Sequence, residues 1–92
     1  MDANLQDRFL DAQDVSPVRR ATAVLVTAIR TGLVTATNAD NRSEVKSFRQ
    51  EMKDEDFSEA DIQAIVTDLT SEKSSLRGIP AINPDLKVSR KK

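Results

Sequence analysis

Cysteine, histidine, tyrosine and tryptophan are all missing from this chain, and each absence removes a kind of chemistry. Without cysteine there is no disulfide framework, no thiolate nucleophile and no thiolate metal site. Without histidine, the side chain that most often moves protons near neutral pH is gone. Glycine is confined to Gly32 and Gly78, so there is no glycine-rich loop to cradle a phosphate, and no nucleophile-elbow sequence occurs either. Apolar residues never run to the roughly 18 consecutive positions that a membrane span needs. The stretch from Met1 to Leu10 carries Asp2 and Asp7, unlike a secretory signal. These gaps predict a cytoplasmic, non-enzymatic chain with no catalytic residues, cofactor, metal, membrane segment or small-molecule substrate.

What is present fits one small helical domain. Ninety-two residues make a single domain whose core is thin relative to its surface. The formal net charge is only −1, yet the charges are unevenly spread. Residues 39–61 hold eight acidic side chains against four basic ones, whereas residues 62–92 hold three against six. An acidic elbow therefore precedes a basic end. No internal repeat or low-complexity run interrupts the chain.

Four helices are predicted. Leu5, Phe9 and Leu10 stand at i, i+4 and i+5 in a segment free of proline and glycine, which suits a short amphipathic helix. Ser16 as N-cap and Pro17 at the first helical position open a second helix that runs to about Thr31. Val18, Ala21, Val24, Leu25, Val26, Ala28 and Ile29 cover more than half of its circumference, marking it as the central core helix. Gly32 is a C-terminal stop, with Leu33 folding back on the last turn. Residues 33–37 read as a connector, either a frayed extension or a brief extended segment. Asn38, Asp40 and Asn41 then supply turn chemistry.

A third helix is expected from about Asn41 to Asp54. Its strongest signature of apolar spacing is Val45, Phe48 and Met52 at i, i+3 and i+7, a narrow stripe. The fourth helix begins at Ser58, which caps it. Asp61 stands in for the capping-box glutamate and Phe57 is placed to staple onto Ile62. Ile62, Ile65, Val66 and Leu69 form its buried face, with a further extension to Leu76 and a stop at Gly78, Ile79 and Pro80. The resulting expectation is an all-α fold, a small bundle of about four helices in residues 1–80. The Ser58 helix packs on the central one, and residues 81–92 form an extended or disordered basic tail.

Functional candidates lie on the third helix and in the tail. Arg42, Lys46, Arg49 and Lys53 project from one side of the helix, and Glu44, Glu51 and Glu55 from roughly the opposite side. The i,i+4 neighbours Arg42–Lys46, Arg49–Lys53 and Glu51–Glu55 are like-charged, so the helix needs stabilising partners from outside itself. Placing Val45 and Met52 at a and Phe48 at d of a heptad makes a parallel homodimer pair Glu44 with Arg49 of the other copy, with Glu51 again at g. Ile82, Leu86 and Val88 are apolar side chains suited to a groove on a neighbour. The expected partner surface is therefore Glu44, Val45, Phe48, Arg49, Glu51, Met52, Ile82, Leu86 and Val88, for another protein or a second copy. The acidic elbow of a second copy is one surface the basic end would meet, giving head-to-tail assembly.

The alternative is a small nucleic-acid-associated regulator that holds phosphates through Arg19, Arg30, Arg42, Lys46, Arg49, Lys53, Lys87, Arg90, Lys91 and Lys92. It lacks aromatic side chains to stack on bases. The plainest account of the third helix is that its charged stems lie against the core with their heads in water, as on any surface helix. The acids Asp54, Glu55, Asp56, Glu59 and Asp61 resemble a calcium loop only in alternation, because Glu59 stands where glycine is required and Ile65 where the bidentate carboxylate belongs. They are better explained as acids gathering at a helix start, where the macrodipole favours them.

Overall fold

A computed structural model describes residues 2–83. Among the described residues there are four α-helices and no strand: α1 (Ala3–Ala12), α2 (Ser16–Arg30), α3 (Ser43–Asp54) and α4 (Glu59–Thr70), with short 3₁₀ turns at Ala39–Asn41 and Leu76–Gly78. No described helix is long and apolar enough to cross a membrane.

The start of α1 is capped by Asp2, whose carboxylate accepts the Asn4 amide at 3.1 Å. Leu5, Phe9 and Ala12 form its buried face. Three successive amides, those of Gln13, Asp14 and Val15, then donate to Leu10, Asp11 and Ala12 carbonyls. This tight i→i−3 winding ends the helix and turns the chain into α2. Ser16 lies inside α2, and the cap position belongs to Val15, whose extended backbone carries no side-chain cap. The expected serine cap is thereby corrected: Pro17 within the first turn supplies the fixed φ and needs no donor partner.

Gly32 ends α2 as expected, at φ +85°. The Leu33 amide reaches back to the Ala28 carbonyl at 2.9 Å and the Gly32 amide to Ile29 at 3.1 Å, the paired bonds of a Schellman motif. The apolar side chain that folds inward is Val34, 1% exposed, while Leu33 stays 54% exposed. The connector is neither helix nor strand. Asn38 knots it: its carboxamide oxygen accepts the Thr35 amide at 2.8 Å, its own amide donates to Thr35 Oγ1, and its Nδ2 donates to the Leu33 carbonyl.

A second Schellman geometry ends α3. The Phe57 amide bonds to the Met52 carbonyl at 3.1 Å and the Asp56 amide to Lys53 at 2.9 Å, with Asp56 at φ +69°. A side chain in the left-handed region is strained where glycine is not. Asp56→Gly is therefore expected to stabilise the fold by up to ~1 kcal/mol, and Gly32→Ala to destabilise it by about 1 kcal/mol or more. Paired urea titrations of the two variants read the opposite signs.

The cap of α4 is as expected, with Ser58 Oγ accepting the Asp61 amide at 3.1 Å. Its end is not. The helix stops at Thr70 rather than continuing to Leu76, and Gly78 lies in the 3₁₀ turn and not at a positive φ. The cause is Asp68, whose carboxylate accepts Ser74 Oγ at 2.6 Å, Ser75 Oγ at 3.0 Å and the Leu76 amide at 3.1 Å. These bonds fold the chain back and drop Leu76, fully buried, into the core. Burial opposes charge on Asp68, but the Ser74, Leu76 and Ser75 bonds outweigh it and hold its pKa below the ordinary 3.8. A depressed native pKa adds stability that is present above the unfolded value and is lost as pH falls below it. The stability gap between wild type and Asp68→Asn should thus narrow below pH 3.8, measured by chemical denaturation at matched ionic strength.

The core is one cluster drawn from all four helices. Its largest fully buried members include Phe9, Phe48, Leu25, Met52, Ile62, Ile65 and Leu69. α4 packs on α2 as expected, but the principal neighbour of α2 is α3. Ile82 is 1% exposed and belongs to this cluster, and Asn83 Nδ2 donates to the Arg77 carbonyl. The folded domain therefore runs through Asn83 and not only to residue 80.

Candidate functional site

The third-helix stripe is interior. Val45, Phe48 and Met52 are all 0% exposed, and the Phe48 ring meets Phe9 edge-on at 5.9 Å and 75°. This corrects the expected surface seam: the three side chains are used by the chain's own core, and Glu44, Arg49 and Glu51 flank no open apolar strip. A narrow stripe sufficed because α2 and α4 pack against α3 and Phe9 of α1 meets Phe48.

The partners of these charges lie in the same chain, Glu44 within the helix and Asp40, Gln63 and Glu59 outside it. Arg42 pairs with Glu44 at 3.2 Å and Arg49 with Asp40 at 3.5 Å. Arg49 also donates to Gln63, and Lys53 pairs with Glu59. Hydrogen bonding from Arg42 lowers the pKa of Glu44, and hydrogen bonding from Lys53 lowers that of Glu59. Three members of the basic stripe are thus engaged with carboxylates. Lys46 and Arg19 are exposed on α3 and α2 respectively, and Arg30 lies at the end of α2. Of the other expected contacts, Ile82 is in the core, while Leu86, Lys87, Val88, Arg90, Lys91 and Lys92 lie outside the described residues.

The five acids in residues 54–61 divide into two sets. Glu59 pairs with Lys53, and Asp61 pairs with Arg8 at 3.2 Å. Asp54, Glu55 and Asp56 remain at the surface. Among the described residues no three acids gather closely enough to hold a metal ion.

The structure brings together a group that the spacing of residues did not reveal. Where α1 meets the corner between α3 and α4, a depression of about 290 Å³ is lined by Arg8, Asp11, Ala12, Val15, Glu55 and Phe57. Ala12, Val15 and Phe57 give it an apolar floor. Asp11 from α1 and Glu55 from the corner stand on its rim, and Asp7, Asp14, Asp54 and Asp56 are exposed nearby in the chain. Arg8 is already committed, since its guanidinium pairs with Asp61 and lies 4.7 Å from the centre of the Phe57 ring. The rim is therefore left with a net negative charge beside apolar surface. One half of this signal was readable, as the acidic elbow. The other half, Asp11 and Val15, is separated from Glu55 by some forty residues and joins it only through packing of α1.

A second groove, at the opposite end of the bundle, runs between the connector and the last turn of α4, with Ala36, Thr70 and Ser71 common to its two halves. Threonine and serine side chains line it together with Ile29, Val34, Ala39 and Val66, and Arg77 at its edge donates to the Ser71 carbonyl. The large apolar side chains most exposed among the described residues are Val24 and Leu33, at 51% and 54%.

By fold, the described residues form a small all-α domain of four packed helices. Comparison with protein-family models, with curated proteins and with solved structures finds no match for it.

Proposed function

We propose that this chain is a non-enzymatic protein–protein interaction module. Its docking surface is the depression between α1 and the α3–α4 corner, and its partner is a polypeptide segment carrying cationic side chains beside apolar ones. The observation that carries this reading is that one depression is lined both by apolar side chains, Ala12, Val15 and Phe57, and by carboxylates from two different elements, Asp11 and Glu55. Such a site adds the burial of aliphatic side chains to electrostatic steering of a basic partner. The absence of cysteine suits work in the reducing cytoplasm. Phosphate binding by the third helix is less well supported, because Arg42, Arg49 and Lys53 are held by acids of the same chain.

The test uses a short alternating leucine–lysine peptide as probe, with a leucine–glutamate peptide as control, followed by amide shifts in NMR spectra. The leucine–lysine peptide is expected to move the resonances of Ala12, Val15 and Phe57, and the acidic control to leave them unmoved. The double variant Asp11→Lys, Glu55→Lys should weaken binding at least about tenfold, in keeping with like-charge juxtaposition costing over a kcal/mol. No shift at these residues, or tight low-salt binding of duplex DNA at Arg19 and Lys46 instead, overturns the proposal.

A further inference from the structure

We infer that the occupant of this depression is residues 84–92 of a second copy of the chain, an inference that rests on the docking surface proposed above. The segment reads Pro84, Asp85, Leu86, Lys87, Val88, Ser89, Arg90, Lys91, Lys92. Leu86 and Val88 alternate with Lys87, and in an extended strand two residues apart place their side chains on one face. That face matches the apolar floor. The four cations that follow or interleave match the carboxylates of Asp11 and Glu55 and the exposed acids around them.

Reach decides between a copy's own depression and that of a neighbour. The segment leaves the described fold at Asn83, bonded to Arg77, and Arg77 lines the groove at the ends of α2 and α4. The depression lies at the other end, beside Val15 and Phe57, which precede α2 and α4. The 15 residues of α2 and 12 of α4 place about 18–22 Å between the two ends. Leu86 stands three residues beyond Asn83 and extends at most ~11 Å from it, and Val88 at most ~18 Å even fully stretched in a straight line. Around the surface of its own bundle the apolar pair falls short. A second copy meets no such limit.

The contact joins two different surfaces, one giving and one receiving, so it either propagates from copy to copy or closes when two copies exchange their segments. A nine-residue segment buries less than the roughly 1,200 Å² of a stable standard interface, so the assembly should be transient and salt-sensitive.

Sedimentation of the full-length chain across the micromolar range, at low and high salt, measures this directly. Two full-length variants separate the halves. Asp11→Lys with Glu55→Lys disables receiving, and Leu86→Asp with Val88→Asp disables giving. Asp11 and Glu55 are exposed, so circular dichroism of that variant should match the wild type. The expected result is a mass that rises with concentration for the wild type, monomers for each variant alone, and a one-to-one complex on mixing the two variants. A wild type that stays monomeric while the leucine–lysine peptide still binds at Ala12, Val15 and Phe57 overturns this inference and leaves the docking surface standing. Failure of that peptide to bind removes both. Self-association that survives in either variant alone also overturns the inference, because the contact then lies elsewhere.

Discussion

Phe48→Ala should lower the free energy of unfolding by about 3–5 kcal/mol, the range for truncating a buried phenylalanine. The ring is fully buried and packs edge-on against Phe9, so its removal takes away dispersion contacts with α1 as well as its own burial. The site cannot collapse easily, since its surroundings come from several helices that are fixed by other core contacts. A domain of this size has a total stability of roughly 5–14 kcal/mol, at about 0.05–0.15 kcal/mol per residue, so about a fifth of it or more depends on this one side chain. Urea denaturation followed by circular dichroism measures the change. A loss below about 1 kcal/mol would match the surface position that the third-helix pattern had allowed, and would contradict the observed burial. Charge at this position, as in Phe48→Glu, is expected to unfold the monomer rather than to separate copies, because a buried unpaired carboxylate has no compensating partner there.

The second large effect is expected at Ile82→Ala, a loss of about 2–5 kcal/mol. Ile82 is 1% exposed, and the turn that delivers it is closed by the Ile82 and Asn83 amides, which donate to the Ile79 carbonyl at 2.9 and 3.0 Å. The same truncation at Val24, 51% exposed, should change stability by less than about 0.5 kcal/mol and serves as the control. Equal effects at the two positions would return Ile82 to a solvated tail. The result also sets where the chain can be shortened: ending it at residue 80 should cost the fold much more than ending it at residue 83.

These two residues show where local reading runs out. Phe48 stands at helical spacing with Val45 and Met52, but three apolar residues in a stripe do not say whether the covering surface belongs to the same chain or to another. Only the packing of α1 through Phe9 and of α2 across α3 answers that. Ile82 sits among proline, asparagine and charge, a composition that reads as tail. It is buried because Asp68 turns the chain back after Thr70, a bond set spanning six to eight residues with no periodic trace.

The candidate site divides in the same way. The acids at residues 54–56 were visible as a cluster, whereas Asp11, Ala12 and Val15 carried no signal that linked them to it. The depression exists because Phe9 and Gln13 tie α1 to the rest. Gln13 does so by donating to Thr22 Oγ1 of α2 at 3.3 Å.

By itself the sequence determined the helices and most of their ends. Apolar periodicity, the Ser58 cap, Pro17 in a first turn and Gly32 at positive φ act within a few residues, so local chemistry specifies them without knowledge of the fold. It also determined the chemical inventory, with neither thiol nor imidazole. Tertiary structure alone decided which apolar faces are interior and which charges are already paired. It also decided which acids gather around a common depression. Those properties depend on distances between residues far apart in the chain, and such distances are set by the simultaneous packing of all four helices and not by any one of them.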